Sequence, residues 1–387
     1  MKKDWKECKL GEVCESISET YSRKDDFVVL INTSDVLEGK ILTHQMIKNE
    51  NLKGQFKKTF QKNDILYSEI RPANKRYAFV DFENTEHYIA STKLMVIRPN
   101  LDIISPKFLF LLLTSKKLIE EMQHLAETRS GTFPQITFSG ELATFSINLP
   151  PLATQQKIAA ILSSLDDKIE LNNKINDNLE QQAQAIFKNW FVDFEPFGGK
   201  MPEGWRMGKL SEIADIIMGQ SPDGKSYNED GIGTVFYQGR AEFGTRFPTR
   251  RLFTIEPKRI AKKFDTLMSV RAPVGDLNIA NEDCCIGRGL AAIHAKDNHQ
   301  SFVHYTVVSI RPQLDVFNGE GTVFGCINRD ALNNMDIVIP TKDDLDKFEK
   351  NVASIDADIY NRSEENSRLE NIRDTLLPKL INGEIEV

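Results

Sequence analysis

The sequence is poor in cysteine, has no long apolar run and lacks the short patterns that carry catalysis. Its five cysteines (Cys8, Cys14, Cys284, Cys285, Cys326) form no CxxC pair and no zinc spacing. That excludes a thiolate zinc fold and predicts reduced thiols of a cytosolic chain. The N-terminus MKKDWKECKL has no apolar signal segment, and the longest apolar run, Phe108 to Leu113, is far too short to span a bilayer. A soluble, cytoplasmic protein is expected. There is no Asn-Pro-Pro-aromatic tetrad for methylating a base amino group and no HExxH or serine nucleophile elbow, and no GxGxxG completes itself after Gly287-Arg-Gly289. The six histidines (His44, His87, His124, His294, His299, His304) show no ligand spacing.

Two enzyme-like patterns fail on context. Gly219-Gln-Ser-Pro-Asp-Gly224-Lys225-Ser226 matches GxxxxGK[ST], but Tyr-Asn-Glu-Asp-Gly follows, which is turn chemistry and not the helix start a phosphate needs. A metal-nuclease set could be drawn from Asp223 with Glu256-Pro257-Lys258, yet E-x-K also occurs at Glu7 to Lys9, where nothing suggests a site. No catalytic residue and no metal ligand are assigned.

What is present is a long helix and a repeat. From Pro150 to Trp190 an apolar seam steps by four and three through Ile158, Leu162, Leu165, Ile169, Asn172, Asn176, Leu179, Ala183, Ile186 and Trp190. A 3.5-residue period predicts packing against a second helix. The repeat locates it. Trp5, Lys9, Leu10 and Glu12 match Trp205, Lys209, Leu210 and Glu212. Asp64 to Pro72 answers Asp265 to Pro273, with one residue more between Arg271 and its proline than between Arg71 and Pro72. Further on, Gly131-Thr132 matches Gly321-Thr322, Leu142 matches Leu332, and Leu149-Pro150 matches Ile339-Pro340.

The same repeat turns the first seam into Phe348, Val352, Ile355, Ile359, Arg362, Asn366, Leu369, Arg373, Leu376 and Leu380. Pro378 is expected to end this second helix near Leu377. One helix leaves the first domain and ends at the second, and the other leaves the second, so burying both seams together makes the pair antiparallel. Asn172, Asn176 and Asn366 are either tolerated near solvent or fix the register. A seam of about 33 residues spans on the order of 50 Å, more than the 34–36 Å of one B-DNA turn.

The globular parts are mixed. Strands are predicted at Phe27 to Ile31, Asp64 to Ser68, Lys93 to Ile97 and Phe145 to Leu149, and a helix at Phe108 to Leu125. The second copy places strands at Val235 to Gln238, Thr266 to Val270, Leu290 to His294 and Met335 to Ile339. The net charge is −7, but the acid excess lies in the helical segments: residues 343–387 carry 6 basic and 12 acidic side chains, whereas 203–342 carry 17 of each. Ten of those 17 basic residues are arginine. Eight basic residues (Arg240, Arg246, Arg250, Arg251, Lys258, Arg259, Lys262, Lys263) fall in one stretch, interleaved with Phe243, Phe247, Phe253 and Phe264. The expected arrangement has the aromatics packed inward and the cations facing DNA phosphates or base edges, against the alternative of a plain solvated face. Lys225 and Gln238 join this set. The first-copy candidates are Arg71, Lys75, Arg76, Arg129, Ser130 and Thr132.

The helix LPPLATQQKIAAILSSLDDKIELNNKINDNLEQQAQAIFKNWFVDFEPF, the tryptophan opening each half, Tyr237-Gln-Gly239 and the closing LENIRDTLLPKLINGEIEV together resemble the specificity subunits of type I restriction-modification systems. The likeness covers nearly the whole chain. It implies an α+β fold with a pseudo-twofold internal repeat, in which two similar mixed α/β target-recognition domains (1–150 and 203–341) are separated by two long antiparallel coiled-coil helices (151–195 and 342–387). It further implies no catalysis in this chain, with double-stranded DNA, two methyltransferase subunits and restriction or motor subunits as partners. S-adenosylmethionine, ATP and magnesium would then sit on the partners. A helical scaffold that reads no DNA, and a nuclease or P-loop NTPase, are the rival classes.

Overall fold

The structure, a computed structural model, describes residues 4–50, 54–129, 133–319 and 325–387. The chain divides into two compact units, Met1–Ile169 with Arg368–Val387, and Glu170–Ser367. Both boundaries fall inside long helices, the central one Leu152–Phe191 and the C-terminal one Lys342–Ile381.

In unit 1, Lys6–Lys9 pairs antiparallel with Ser146–Leu149. An antiparallel sheet runs in the order Cys14–Ile17, Leu94–Pro99, Ile65–Ser68, Tyr77–Phe79. A second sheet runs Ile47–Lys48, Phe27–Ile31, Tyr88–Ser91, Phe56–Lys58, and in it Phe27–Ile31 and Tyr88–Ser91 are parallel. Unit 2 has the same wiring with one further edge strand, Tyr227–Asn228. Arg206–Lys209 pairs with Asp336–Ile339, and a sheet runs Ala214–Met218, Leu290–Ala295, Thr266–Ser269, Leu277–Ile279. Its other sheet runs Tyr227–Asn228, Leu252–Thr254, Thr234–Tyr237, Cys284–Ile286, Ile260–Ala261, with Thr234–Tyr237 parallel to Cys284–Ile286. The repeat seen in scattered residues is therefore a repeat of topology.

Three sequence expectations are corrected. The helix expected over Phe108 to Leu125 is two, Pro106–Leu113 and Lys116–Arg129. At the break the Thr114 and Ser115 hydroxyls donate to the Phe110 and Leu112 carbonyls, each at 2.8 Å, competing with the backbone ladder. The C-terminal helix passes through Pro378 to Ile381. The missing N–H costs one bond of the last turn, while Leu376, Leu377 and Leu380 pack into the core of unit 1 and hold that turn. Arg71 and Arg271 are not equivalent: the Arg71 N–H bonds Pro134 O as the Ala272 N–H bonds Gly325 O, so Arg271 stands where unit 1 has Ile70, with no insertion.

Each tryptophan marks where a helix ends. Trp205 stacks on Phe191 at 5.3 Å and donates from Nε1 to Asp344 in unit 2. Trp5 lies against Gly383, just past the C-terminal helix, in unit 1. Burial of Trp205 contributes roughly 2–3 kcal/mol, and the half-buried Trp5 less.

Candidate DNA interface

The parallel strand pair brings two chain exits to the same end of unit 2. Gly287 N–H donates to Tyr237 O (2.8 Å) and Gly289 N–H to Gln238 O (3.3 Å). The turn after Ala214–Met218 closes on them, with Gln220 N–H donating to Ile286 O (2.9 Å) and Arg288 N–H to Ser221 Oγ (3.3 Å). Lys258 and Arg259 join through Ile286 N–H and Arg259 O (2.9 Å). The close approach demands glycine: a Cβ on Gly219 would fall on the Gly287 carbonyl oxygen, and one on Gly287 would lie 2.8 Å from Gln238 O. Three loops thus meet, and Gln220, Gln238 and Arg288 project exposed from the junction.

The cations predicted from the sequence divide sharply on this frame. Lys225, Lys258 and Arg259 are exposed, and the described residues offer them no side-chain partner; Gln238 likewise. Arg240 pairs with Asp276 (2.8 Å), Arg250 with Glu282, Arg251 with Glu242 and Glu229, and Lys262 with Asp283 (2.8 Å). Their hydrogen bonds to these carboxylates raise the pKa values of Arg250, Arg251 and Lys262. Lys263 sits 4.8 Å and 4.4 Å from the centres of the Phe264 and Tyr360 rings. Arg240, Arg250 and Lys262 pair at the surface and are only lightly held, whereas Arg251 answers the buried carboxylate of Glu242.

Arg246 is different and corrects the expectation. Its side chain is 9% exposed and engages Glu180, Asp356 and the Tyr305 hydroxyl, so it faces the helices and not solvent. The aromatics also depart from the expected pattern. Phe243 and Phe253 pack against the core, but Phe264 is 43% exposed at a φ of 74°.

Sequence reasoning missed Gln220, Arg271 and Arg288. Arg288 was visible as an arginine between two glycines. The P-loop-like Lys225-Ser226 opens no helix; Gly224–Ser226 is a single 3-10 turn, with Asp223 accepting from Lys225 N–H (2.9 Å).

Unit 1 builds the same edge with other side chains. The ladders align Asn32 with Gln238 and Thr92 with Arg288; counting on three residues from Ile17 and Ile217 matches Thr20 with Gln220, although Thr20 bridges Lys58 where Gln220 bonds Ile286. Arg71 is exposed, in a left-handed conformation (φ 45°), and has no side-chain partner among the described residues. Lys75 pairs with Glu38 (2.9 Å), Arg76 donates to Ser34 O and Val36 O, and Arg129 pairs with Glu141. Ser130 and Thr132, with the Gly131-Thr132 and Gly321-Thr322 match, lie outside the described residues.

The helix seams are buried as the heptads require, antiparallel within each unit. In unit 1, Ile158 and Leu162 are fully buried, Leu165 and Leu376 join the same core, and Arg373 reaches Asp166 at 2.9 Å. Ile169 and Leu369 are half-buried. In unit 2, Phe348, Val352 and Ile359 are buried, and Leu179, Ile186 and Ile355 are half-buried. Asn172 donates to Asn366 Oδ1 and Glu365 Oε2, both at 2.8 Å, Asn366 donates to Asn173 Oδ1 (2.8 Å), and Asn176 to Ser363 Oγ (3.3 Å). Only one alignment of the two helices makes this set, which favours the register role.

A duplicated frame that presents different polar side chains at one loop edge, on paired long helices, defines a recognition protein of two related halves. The family model described as the type I restriction modification DNA specificity domain matches residues 2–181. The type I restriction enzyme HindI specificity subunit of Haemophilus influenzae is 35% identical over 465 aligned residues, covering 99% of this chain and 100% of the relative. The putative MjaX specificity subunit of Methanocaldococcus jannaschii is 33% identical, over 84% of this chain and 79% of the relative. The crystal structure of the S subunit of a type I system from M. genitalium shares the fold, with a TM-score of 0.60 at 17% identity over 98% and 97% of the two chains. The chain belongs to the family of type I restriction-modification specificity subunits, and its role is non-catalytic DNA recognition within such a system. No helix among the described residues is long and apolar enough to cross a membrane.

Proposed function

We propose that each unit reads one half of a bipartite DNA site through the loop edge at the end of its parallel strand pair. The observation that carries this reading is the equivalence of Gln220, Gln238 and Arg288 with Thr20, Asn32 and Thr92. One frame with two side-chain sets is what reading two different half-sites requires. Arginine suits the O6 and N7 acceptors of guanine, and glutamine or asparagine the adenine edge. Lys225, Lys258, Arg259 and Arg271 flank the unit 2 edge as phosphate contacts, and Arg71 serves unit 1. Arg240, Arg250, Arg251, Lys262, Lys263, Lys75, Arg76 and Arg129 act only after leaving their present partners.

The long helices act as the spacer between half-sites, and their polar outer faces dock two methyltransferase subunits, with restriction or motor subunits completing the cytoplasmic complex. S-adenosylmethionine, ATP and magnesium are bound by those partners. The test is retention of DNA by the complex reconstituted with methyltransferase subunits, followed by mapping of the methylated bases. The reading expects salt-sensitive retention and a split methylated sequence; retention without sequence preference would reduce the chain to a scaffold.

A further inference from the structure

In unit 2 the loop Gly244 to Thr249 is tied to the sheet and reaches the helices. Ile279 N–H donates to Arg246 O (2.8 Å), Asn278 Nδ2 to Gly244 O (3.0 Å) and Thr249 N–H to Glu242 O (2.8 Å). From this support the Arg246 guanidinium meets Glu180 of the central helix and Asp356 of the C-terminal helix at once. The Tyr305 hydroxyl, from helix Gln300–Ser309, donates to the same Asp356 oxygen at 2.9 Å. One turn along, Tyr360 receives Phe247 and Phe264 edge-on, with ring centres 5.6 Å and 5.2 Å away. The recognition body is thus gripped on two successive turns of one helix and on the facing helix.

Unit 1 has the same acids, but among the described residues no arginine of its recognition body pairs with them. Counting 190 residues along the repeat, Asp356 corresponds to Asp166 and Glu180 to Glu370. The carbonyl that accepts from Phe79 N–H, as Arg246 O accepts from Ile279 N–H, belongs to Gly39. The cation beside Asp166 comes instead from Arg373, on the helix itself, and its counterpart in unit 2 is the buried Ala183. The helix aspartate is therefore neutralised in both units, but among the described residues only unit 2 achieves it with an arginine from the recognition body. Neutralisation alone does not explain that placement; attachment does.

We infer that Arg246 is a positioning residue, fixing the unit 2 recognition body on the helix pair and so setting the half-site spacing that the protein accepts. This rests on the reading that each unit contacts one half-site. A recognition body that can shift on its helices meets its half-site at more than one separation, whereas a gripped body meets it at one.

The test uses the complex with methyltransferase subunits and duplexes carrying the mapped half-sites at the natural spacing and at one base pair more or less. Arg246→Gln is expected to lower the ratio of kcat/KM at the natural spacing to that at the altered spacings by at least tenfold, chiefly through KM. Arg246→Lys should recover part of that ratio. The double variant Arg246→Gly with Ala183→Arg copies the unit 1 arrangement; it should regain thermal stability lost in Arg246→Gly and keep the relaxed spacing. Recovery of both would show a merely structural arginine and overturn the inference. Asp356→Asn and Tyr360→Ala loosen the same grip from the helix side and must relax spacing in the same direction; an unchanged ratio in both overturns it even where an Arg246 variant fails to fold. If the unmodified complex shows no dependence on spacing, the half-site reading itself fails.

Discussion

Units 1 and 2 share the sheet wiring that frames their recognition bodies, apart from an added edge strand Tyr227–Asn228 in unit 2 and a hairpin Val36–Leu37 with Lys40–Ile41 in unit 1, and differ in what is hung on it. The edge residues are Thr20, Asn32 and Thr92 in one and Gln220, Gln238 and Arg288 in the other. The fastenings differ as well. The buried Asp64 of unit 1 is held by Arg98 through two bonds of 2.9 and 2.8 Å, whereas its counterpart Asp265 faces His294. Burial raises the Asp265 pKa, against the pull of His294. At the start of helix Pro106–Leu113, Ser105 N–H donates to the neutral amide of Gln155 (2.8 Å). At the start of Gln300–Ser309, His299 bridges Asp297 (2.8 Å) and Asp346 (2.7 Å). Unit 1 uses permanent charges and amides where unit 2 uses titratable pairs. A frame set by strand register tolerates such exchange, because each fastening is local.

The largest effect should come from breaking the unit 2 junction. Gly219→Ala drives a methyl group onto the Gly287 carbonyl, while unit 1 carries Glu19 at the matching position. A stability cost of about 2–3 kcal/mol is expected for Gly219→Ala, and almost none for Glu19→Ala. Urea unfolding of the two variants checks both.

Next in size, Arg288→Ala should weaken DNA binding by about 1–3 kcal/mol and relax one base position, whereas Lys258→Ala should lower the slope of log affinity against log salt by about one without changing the sequence read. Titrations at several salt concentrations distinguish them. Equal losses on all sequences for Arg288→Ala would make it a phosphate contact.

The paired substitution Asn172→Leu and Asn366→Leu should raise resistance to urea by about 1 kcal/mol, because Asn172 Oδ1 is buried without a hydrogen-bond partner among the described residues. It should also loosen helix register, seen as broadened spacing tolerance. Higher stability with spacing tolerance unchanged would reduce these asparagines to tolerated polar residues.

The smallest effect is in pH. Burial works against a charged His299, but Asp297 and Asp346 outweigh it, so its pKa is raised above the usual 6.5. A raised folded-state pKa gives stability that is full below about 6.5 and is lost as pH rises through the folded value. Urea melts between pH 6 and 8.5 should show unit 2 weakening on the alkaline side, and His299→Gln, which removes the titrating imidazole, should flatten that slope. A slope as steep in the variant would place the titrating group elsewhere.

Much of the frame was legible in the sequence. Heptad spacing located both helices, and Phe27–Ile31 appeared at its predicted ends, because periodicity and β-branched runs are local signals. Which cations are free was not legible: Arg250 and Glu282, or Lys262 and Asp283, meet only after the chain folds. Arg246 read as one more surface arginine because its partners, Glu180 and Asp356, lie 66 residues before it and 110 after it. Pro378 misled since local propensity yields to the packing of Leu376 and Leu380. Matching Arg71 to Arg271 followed residue identity, where strand register sets the true alignment.

The most direct test of two units reading two half-sites is a genome-wide map of methylated bases made by the reconstituted complex and by its Arg288→Ala variant. The account predicts a split target for the parent, and for the variant a change confined to one half with the other half and the gap preserved. A single contiguous target, or a change in both halves, would contradict it.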